Sequence, residues 1–263
     1  MRSIVLLNQK GGVGKTSTCH HLAGTLAKRG RRVLCLDVDP QASLTQGFFG
    51  PEWTRSLDPS RSIAAYYTEE GFDPSIPMAV ETPVQGVSII PGSARLNSFN
   101  LPDPEGDHRQ FVLREALADL EGQYDDVLID CPPNLCLCSW SALAAADGVI
   151  VPLQAEDYGA QGIFAITGAI EAARQQVNAS LELYGFLITM YNKALSIHVA
   201  YASQLRDLYG AKVFATEIPL AKDFKEAVAS RLPISHYKPK SAPARTLAAL
   251  AAELDALTMT EAA

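Results

Sequence analysis

The chain is 263 residues long, 48% hydrophobic and 19% charged, with a net charge of −7. That is enough for one large core, and no run approaches the roughly 18 uninterrupted apolar residues of a membrane span. An isoelectric point near 5.3 excludes a broadly basic surface but leaves room for a local basic patch.

The first apolar run, residues 3–7, reads as a buried strand and leads directly into Asn8-Gln9-Lys10-Gly11-Gly12-Val13-Gly14-Lys15-Thr16-Ser17, with a helix predicted over 15–29. Strand, glycine-rich loop and helix together make a phosphate cradle. Glycines let successive N–H groups curl round an anion, Lys15 reaches the β- and γ-phosphates, and the Thr16 hydroxyl can ligate Mg²⁺. A plain glycine turn with two solvated lysines would explain neither the strand before it nor the helix after it.

A second strand, 32–37, ends in Asp37-Val38-Asp39-Pro40-Gln41-Ala42-Ser43, placing two carboxylates at a strand end, where open α/β sheets bind ligands. Residues 48–83, with Pro51, Pro59, Pro74, Pro77 and Pro83, are the least regular and are expected to be a surface excursion with short helices. A strand at 87–91, a helix at 110–121 and a strand at 125–130 follow. Asp130 closes the last of these and can hold Mg²⁺ through a water, and Cys131-Pro132-Pro133 stiffens the next loop.

Further strands are predicted at 148–152, 183–189 and 212–216, and helices at 139–146, 160–176, 198–209, 224–230 and 243–257. This alternation implies an α/β fold, a doubly wound and mostly parallel sheet with helices on both faces. One domain over 1–257 and a disordered tail at 258–263 are expected. The N-terminus carries no signal-peptide pattern, so the expected compartment is the cytoplasm. Of the five cysteines, Cys131, Cys136 and Cys138 cluster in sequence, but without C-x₂-C spacing or a nearby histidine they read as packing residues, not ligands. After the strand at 183–189, Met190-Tyr191-Asn192 leaves two readings of Asn192 open: a turn residue, or an amide that pairs with a base edge.

Lys10, two positions before Gly12, is the feature of the deviant Walker A ATPases, and KGGVGKTS resembles the ParA/MinD group within them. DVDPQAS resembles that family's first switch motif and DCPP its second. TMYN, Ile218-Pro219 and the stretch from Glu226-Ala227 to Tyr237-Lys238-Pro239-Lys240-Ser241 extend the likeness over about 3–257, with 48–83 unmatched. The pair of switch motifs resembles ParA/Soj partition ATPases most.

The resemblance implies ATP and Mg²⁺ as cofactors, bound by Lys10, Gly11, Gly12, Val13, Gly14, Lys15, Thr16 and Ser17, with Asn192 and Pro219 bordering adenine. It implies metal-shell roles for Thr16, Asp37 and Asp130, and catalytic roles for Lys15, for Asp39 in positioning water, and for Lys10 acting across a dimer. It further implies an ATP-bound homodimer, a ParB-like adaptor and non-specific double-stranded DNA binding, hence association with the nucleoid, and no membrane. Lys193, Lys212, Lys222, Lys225, Arg231, Lys238 and Lys240 would supply the DNA contacts. Leu220 and Ala194-Leu195 stand where many relatives carry arginine or Arg-Thr.

Two alternatives share the fold. A MinD-type membrane switch needs a basic amphipathic C-terminal helix, whereas 247–257 is Ala/Leu-rich with Glu253 and Asp255. An iron–sulfur carrier needs Cys136 and Cys138 of two chains to converge at an interface.

Overall fold

The computed structural model describes residues 1–68, 77–99, 106–155 and 159–260. In chain order the elements are β1 (Arg2–Leu6), α1 (Lys15–Lys28), β2 (Val33–Asp37), α2 (Ser43–Phe49), α3 (Pro51–Ser56), β3 (Val80–Glu81), β4 (Val87–Ile90), α4 (Val112–Ala118) and β5 (Asp126–Asp130). They continue with α5 (Leu137–Ala145), β6 (Gly148–Gln154), α6 (Gly159–Gln176), β7 (Glu182–Thr189), α7 (Ser196–Tyr209), α8 (Lys222–Ala229), α9 (Ile234–Tyr237) and α10 (Ala242–Thr260).

The strands form one sheet in the order β3-β4-β2-β5-β1-β6-β7. Only β3 is antiparallel. The central strands are apolar in their middles because both faces are covered, and carry polar residues at their ends. Alternate residues divide between two cores: Val5, Leu34, Val127 and Ile129 face Leu117 of α4, Leu143 of α5 and Ile166 of α6. Ile4, Leu6, Cys35 and Leu128 face Leu22 of α1, Phe48 of α2, Phe224 of α8 and Leu250 of α10. The predicted doubly wound α/β arrangement is the one observed.

Three expectations change. Residues 212–216 do not form a strand; Val213 makes an isolated bridge to Phe186. The Glu253 carboxylate of α10 takes the Ala215 and Thr216 N–H groups at 2.6 and 3.1 Å, so these donors are lost to a ladder along β7. The 48–83 segment has short helices but is not merely a surface excursion, because Phe48, Ile63, Ala64 and Tyr67 are fully buried; its residues 69–76 lie outside the described residues. Helix α10 runs to Thr260, past the expected tail boundary, and 261–263 lie outside the described residues.

The alternatives of the same fold also meet the structure here. Cys131, Cys136 and Cys138 are buried with 0–1% exposure among core side chains, so the iron–sulfur carrier's pair does not face a partner. Helix α10 places Leu247, Leu250 and Leu254 in the core beside α1, so these three are not free to face lipid.

Candidate active site

Strand register assembles the site. Asp37 at the end of β2 lies directly opposite Asp130 at the end of β5, and Leu6 of β1 lies opposite Asp130 on the other side. The loop leaving β1 therefore rises beside both carboxylates, at the carboxyl edge where β1 separates the two halves of the sheet.

Gly12 and Gly14 have φ of +76° and +90°, values that L side chains rarely adopt, so the curl of the loop requires glycine at both. Gly14 precedes α1, whose first N–H groups lack intrahelical partners and give the loop a positive end. Within the curl, Lys15 Nζ donates to the carbonyls of Asn8 at 3.0 Å and Lys10 at 3.3 Å. Burial lowers the Lys15 pKa, against the opposing pull of Asp130, Cys131 and Asp39. Lys10 is exposed, with its N–H held by Asn8 Oδ1 at 2.9 Å.

The two registered aspartates are both 0% exposed. Asp37 Oδ2 accepts from the Thr45 N–H at 2.8 Å and the Thr45 hydroxyl at 2.7 Å, whereas its Oδ1 has no hydrogen bond of good geometry among the described residues. Neither oxygen of Asp130 has a hydrogen bond of good geometry, although the Thr16 hydroxyl lies close enough to pull its pKa down. Desolvation first, then the other carboxylates, raise Asp130 well above the usual range; desolvation likewise pushes Asp37 up to about 7. Buried, unpartnered carboxylate oxygens beside a threonine hydroxyl are hard oxygen donors in want of a cation, and Mg²⁺ fits that set. Asp39, one turn further out and 9% exposed, bonds the Gln41 N–H at 2.8 Å through Oδ1.

Next to the loop lies a cavity of about 450 Å³, lined by Ser17, Met190, Ile218, Pro219, Phe224 and Val228 among others. Its mainly apolar walls suit the faces of a flat heterocycle. Pro219 stands on the wall, as expected. Asn192 is not among the lining residues, and its Oδ1 accepts from the Ala194 N–H at 3.0 Å in the turn that the bland reading anticipated.

The basic residues near the C-terminus do not act as one patch. Lys238 is paired with Asp223 at 2.6 Å and Glu226 at 2.7 Å, Lys212 donates to the Leu183 carbonyl, and Arg231 donates to the Gln46 carbonyl. Lys222 meets Glu226 at 3.6 Å. Exposed Lys193, Lys225 and Lys240 remain, together with Leu220, which is 64% exposed.

Sequence reasoning missed Thr45, which orients Asp37, and the side chains of Asn8, Gln154 and Thr189, which brace the loop. Asn8 stood inside the glycine-rich motif and donates to the Pro152 carbonyl at 2.7 Å. For the other three no local signal existed, since each acts on a residue distant in the chain or across the sheet.

Known proteins resemble this chain over most of its length. A family model described as an AAA domain matches residues 1–183. The chromosome partitioning protein ParA of Caulobacter vibrioides is 35% identical over 256 residues, 97% of this chain and 94% of that protein. The chromosome-partitioning ATPase Soj of Thermus thermophilus is 38% identical over 254 residues, covering 97% and 95%. Among solved structures, cobyrinic acid a,c-diamide synthase from Mycobacterium smegmatis, with bound ATP analog and magnesium, superposes with a TM-score of 0.80 at 29% identity and covers 97% of this chain and 94% of its own. The septum site-determining protein MinD of Pyrococcus horikoshii, complexed with Mg-ADP, shares the fold with a TM-score of 0.75 at 24% identity, covering 98% and 97%.

Proposed function

Because the chain belongs to the ParA/Soj family of partitioning ATPases, we propose that it is a Mg²⁺-dependent ATPase whose ATP-bound form dimerises and acts in positioning DNA or another cargo. The observation that carries this reading is the convergence of the glycine-rich loop with the registered, buried pair Asp37 and Asp130.

In this reading the N–H groups of Gly11 to Ser17 and the Lys15 ammonium bind the phosphates, and the neighbouring cavity, with Pro219 on its wall, takes the adenine. Asn192 lies off this cavity's wall with its Oδ1 engaged in a turn, and this reading gives it no contact with the base. Thr16, Asp37 and Asp130 would hold Mg²⁺, which when bound neutralises charge on the β- and γ-phosphate oxygens. Asp39 sits on a loop fixed by its own turn and orients the attacking water for in-line displacement, a reaction governed by placement and charge stabilisation. Lys10, exposed at the loop's outer edge, reaches the phosphates held by a second copy.

The ATP dimer then presents Lys193, Lys225 and Lys240 twice, enough for weak sequence-independent DNA binding, and a ParB-like adaptor stimulates turnover. The protein works in the cytoplasm, on the nucleoid. The test is ATP hydrolysis with and without Mg²⁺, light scattering in ATP and ADP, and gel shift on long duplex DNA at several salt concentrations. Mg²⁺-dependent turnover, dimers in ATP alone and salt-sensitive DNA binding are expected. Absence of turnover sinks the ATPase role, and an ATP dimer without DNA affinity at low salt sinks the nucleoid role.

A further inference from the structure

The phosphate loop has a back as well as a front. For its N–H groups to face an anion, its carbonyls must point the other way, toward the ends of β6 and β7, where each needs a donor. Two side chains supply them. The Thr189 hydroxyl, on a residue that is 1% exposed, lies 2.7 Å from the Val13 carbonyl oxygen and 3.1 Å from that of Leu153, so its single proton is shared between them. Gln154 Nε2 donates to the Gly12 carbonyl at 3.1 Å.

The same two residues connect to the cavity, Thr189 by lining it and Gln154 through Met190. Gln154 Nε2 lies 2.9 Å from the Met190 sulfur. Met190 lines the cavity and is held at a φ of +52°, a left-handed conformation that is unfavourable for a non-glycine residue and persists only where its surroundings enforce it. Thr189 immediately precedes it and also lines the cavity. One amide group thus bridges two positive-φ positions, Gly12 in the loop and Met190 in the cavity wall.

Resting on the nucleotide-binding reading above, we propose that Gln154 and Thr189 are positioning residues of the phosphate loop, and that Gln154 couples occupancy of the base cavity to the loop's grip on the phosphates. Thr189 holds the loop through Val13 and itself stands on the cavity wall, while Gln154 holds the loop through Gly12 and reaches that wall through Met190. Neither touches a reacting atom.

The test is equilibrium binding of Mg-ATP and of inorganic tripolyphosphate, by calorimetry, to wild type, Thr189→Val, Thr189→Ser and Gln154→Leu. Losing one hydrogen bond should weaken ATP binding by about 5- to 10-fold in Thr189→Val and in Gln154→Leu. Thr189→Ser keeps the hydroxyl and should stay within about 2-fold of wild type, a rescue that a packing role would not give. Gln154→Leu should lose at least about threefold more affinity for ATP than for tripolyphosphate, because only ATP fills the cavity. Wild-type ATP affinity in Thr189→Val, or Thr189→Ser as weak as valine, overturns the positioning role; equal losses for both ligands in Gln154→Leu overturn the coupling. If Thr189→Val does not fold, the less buried Gln154→Leu still decides. Failure of wild type itself to bind ATP would strike the nucleotide reading instead, and is distinguished by that control.

Discussion

Replacing Asp37 by asparagine should stabilise the nucleotide-free, metal-free protein, by an amount that grows from about pH 4 to about pH 7 and is full above that. The Asp37 carboxyl is fully buried opposite Asp130, and desolvation pushes its pKa up to about 7. An aspartate in the unfolded chain ionises near ~3.9. Between about 4 and about 7 the native state therefore binds the extra proton, and the stability this confers is full below about 4 and lost as pH rises through about 7. A displacement of about three pKa units is worth ~4 kcal/mol, of which about 2 kcal/mol survives local relaxation and water entry. Asparagine retains an oxygen to accept from the Thr45 N–H and hydroxyl, and offers Asp130 an N–H in place of a second negative charge. Thermal melts in EDTA should place Asp37→Asn about 4–8 °C above wild type at pH 8 and within about 2 °C at pH 5. A variant that melts lower than wild type at pH 8, or an equal shift at both pH values, refutes the argument that charge on this buried pair opposes the fold.

Lys15→Ala should leave the fold intact, since its ammonium bonds only loop carbonyls, yet abolish ATP binding, as measured by calorimetry. Asp39→Ala should bind ATP and dimerise but turn over at least about 100-fold more slowly, read by phosphate release, because its role is placement and not affinity. Lys10→Ala should bind ATP as a monomer; light scattering that finds as much dimer as in wild type contradicts a role across the interface. Gly24→Ala should cost about 1–3 kcal/mol in urea melts, since its Cβ would fall 2.3 Å from Pro233, with nowhere to go between α1 and the start of α9.

Much of the site was legible from local pattern, because a phosphate loop is a local object. Its glycines, its lysine and the strand and helix either side occupy the continuous stretch 2–28 of periodic or conformationally special residues, and the aspartates mark where apolar runs stop. The alternation of such runs with amphipathic stretches likewise carried the doubly wound sheet, since burial on both faces dictates the composition of each strand independently of its neighbours. Element ends were less secure: β6 runs through Gln154, beyond the predicted 152, and β3 is two residues long, too short for any period to register.

What the sequence by itself determined about this protein is the set of parts: the loop that can hold phosphate, the carboxylates at strand ends, and strands and helices in the order that a parallel sheet requires. Only the tertiary structure decided how they meet. It set Asp37 opposite Asp130, gave Asp37 to Thr45, turned Thr189 and Gln154 onto the back of the loop, buried Cys136 and Cys138, and neutralised Lys238 with Asp223 and Glu226. It also stopped a strand at 215–216 with a carboxylate from a helix 37 and 38 residues away. The reason is physical: propensity and periodicity act over a few residues, whereas register, charge pairing and hydrogen-bond satisfaction depend on distances between segments that the linear order of residues does not encode.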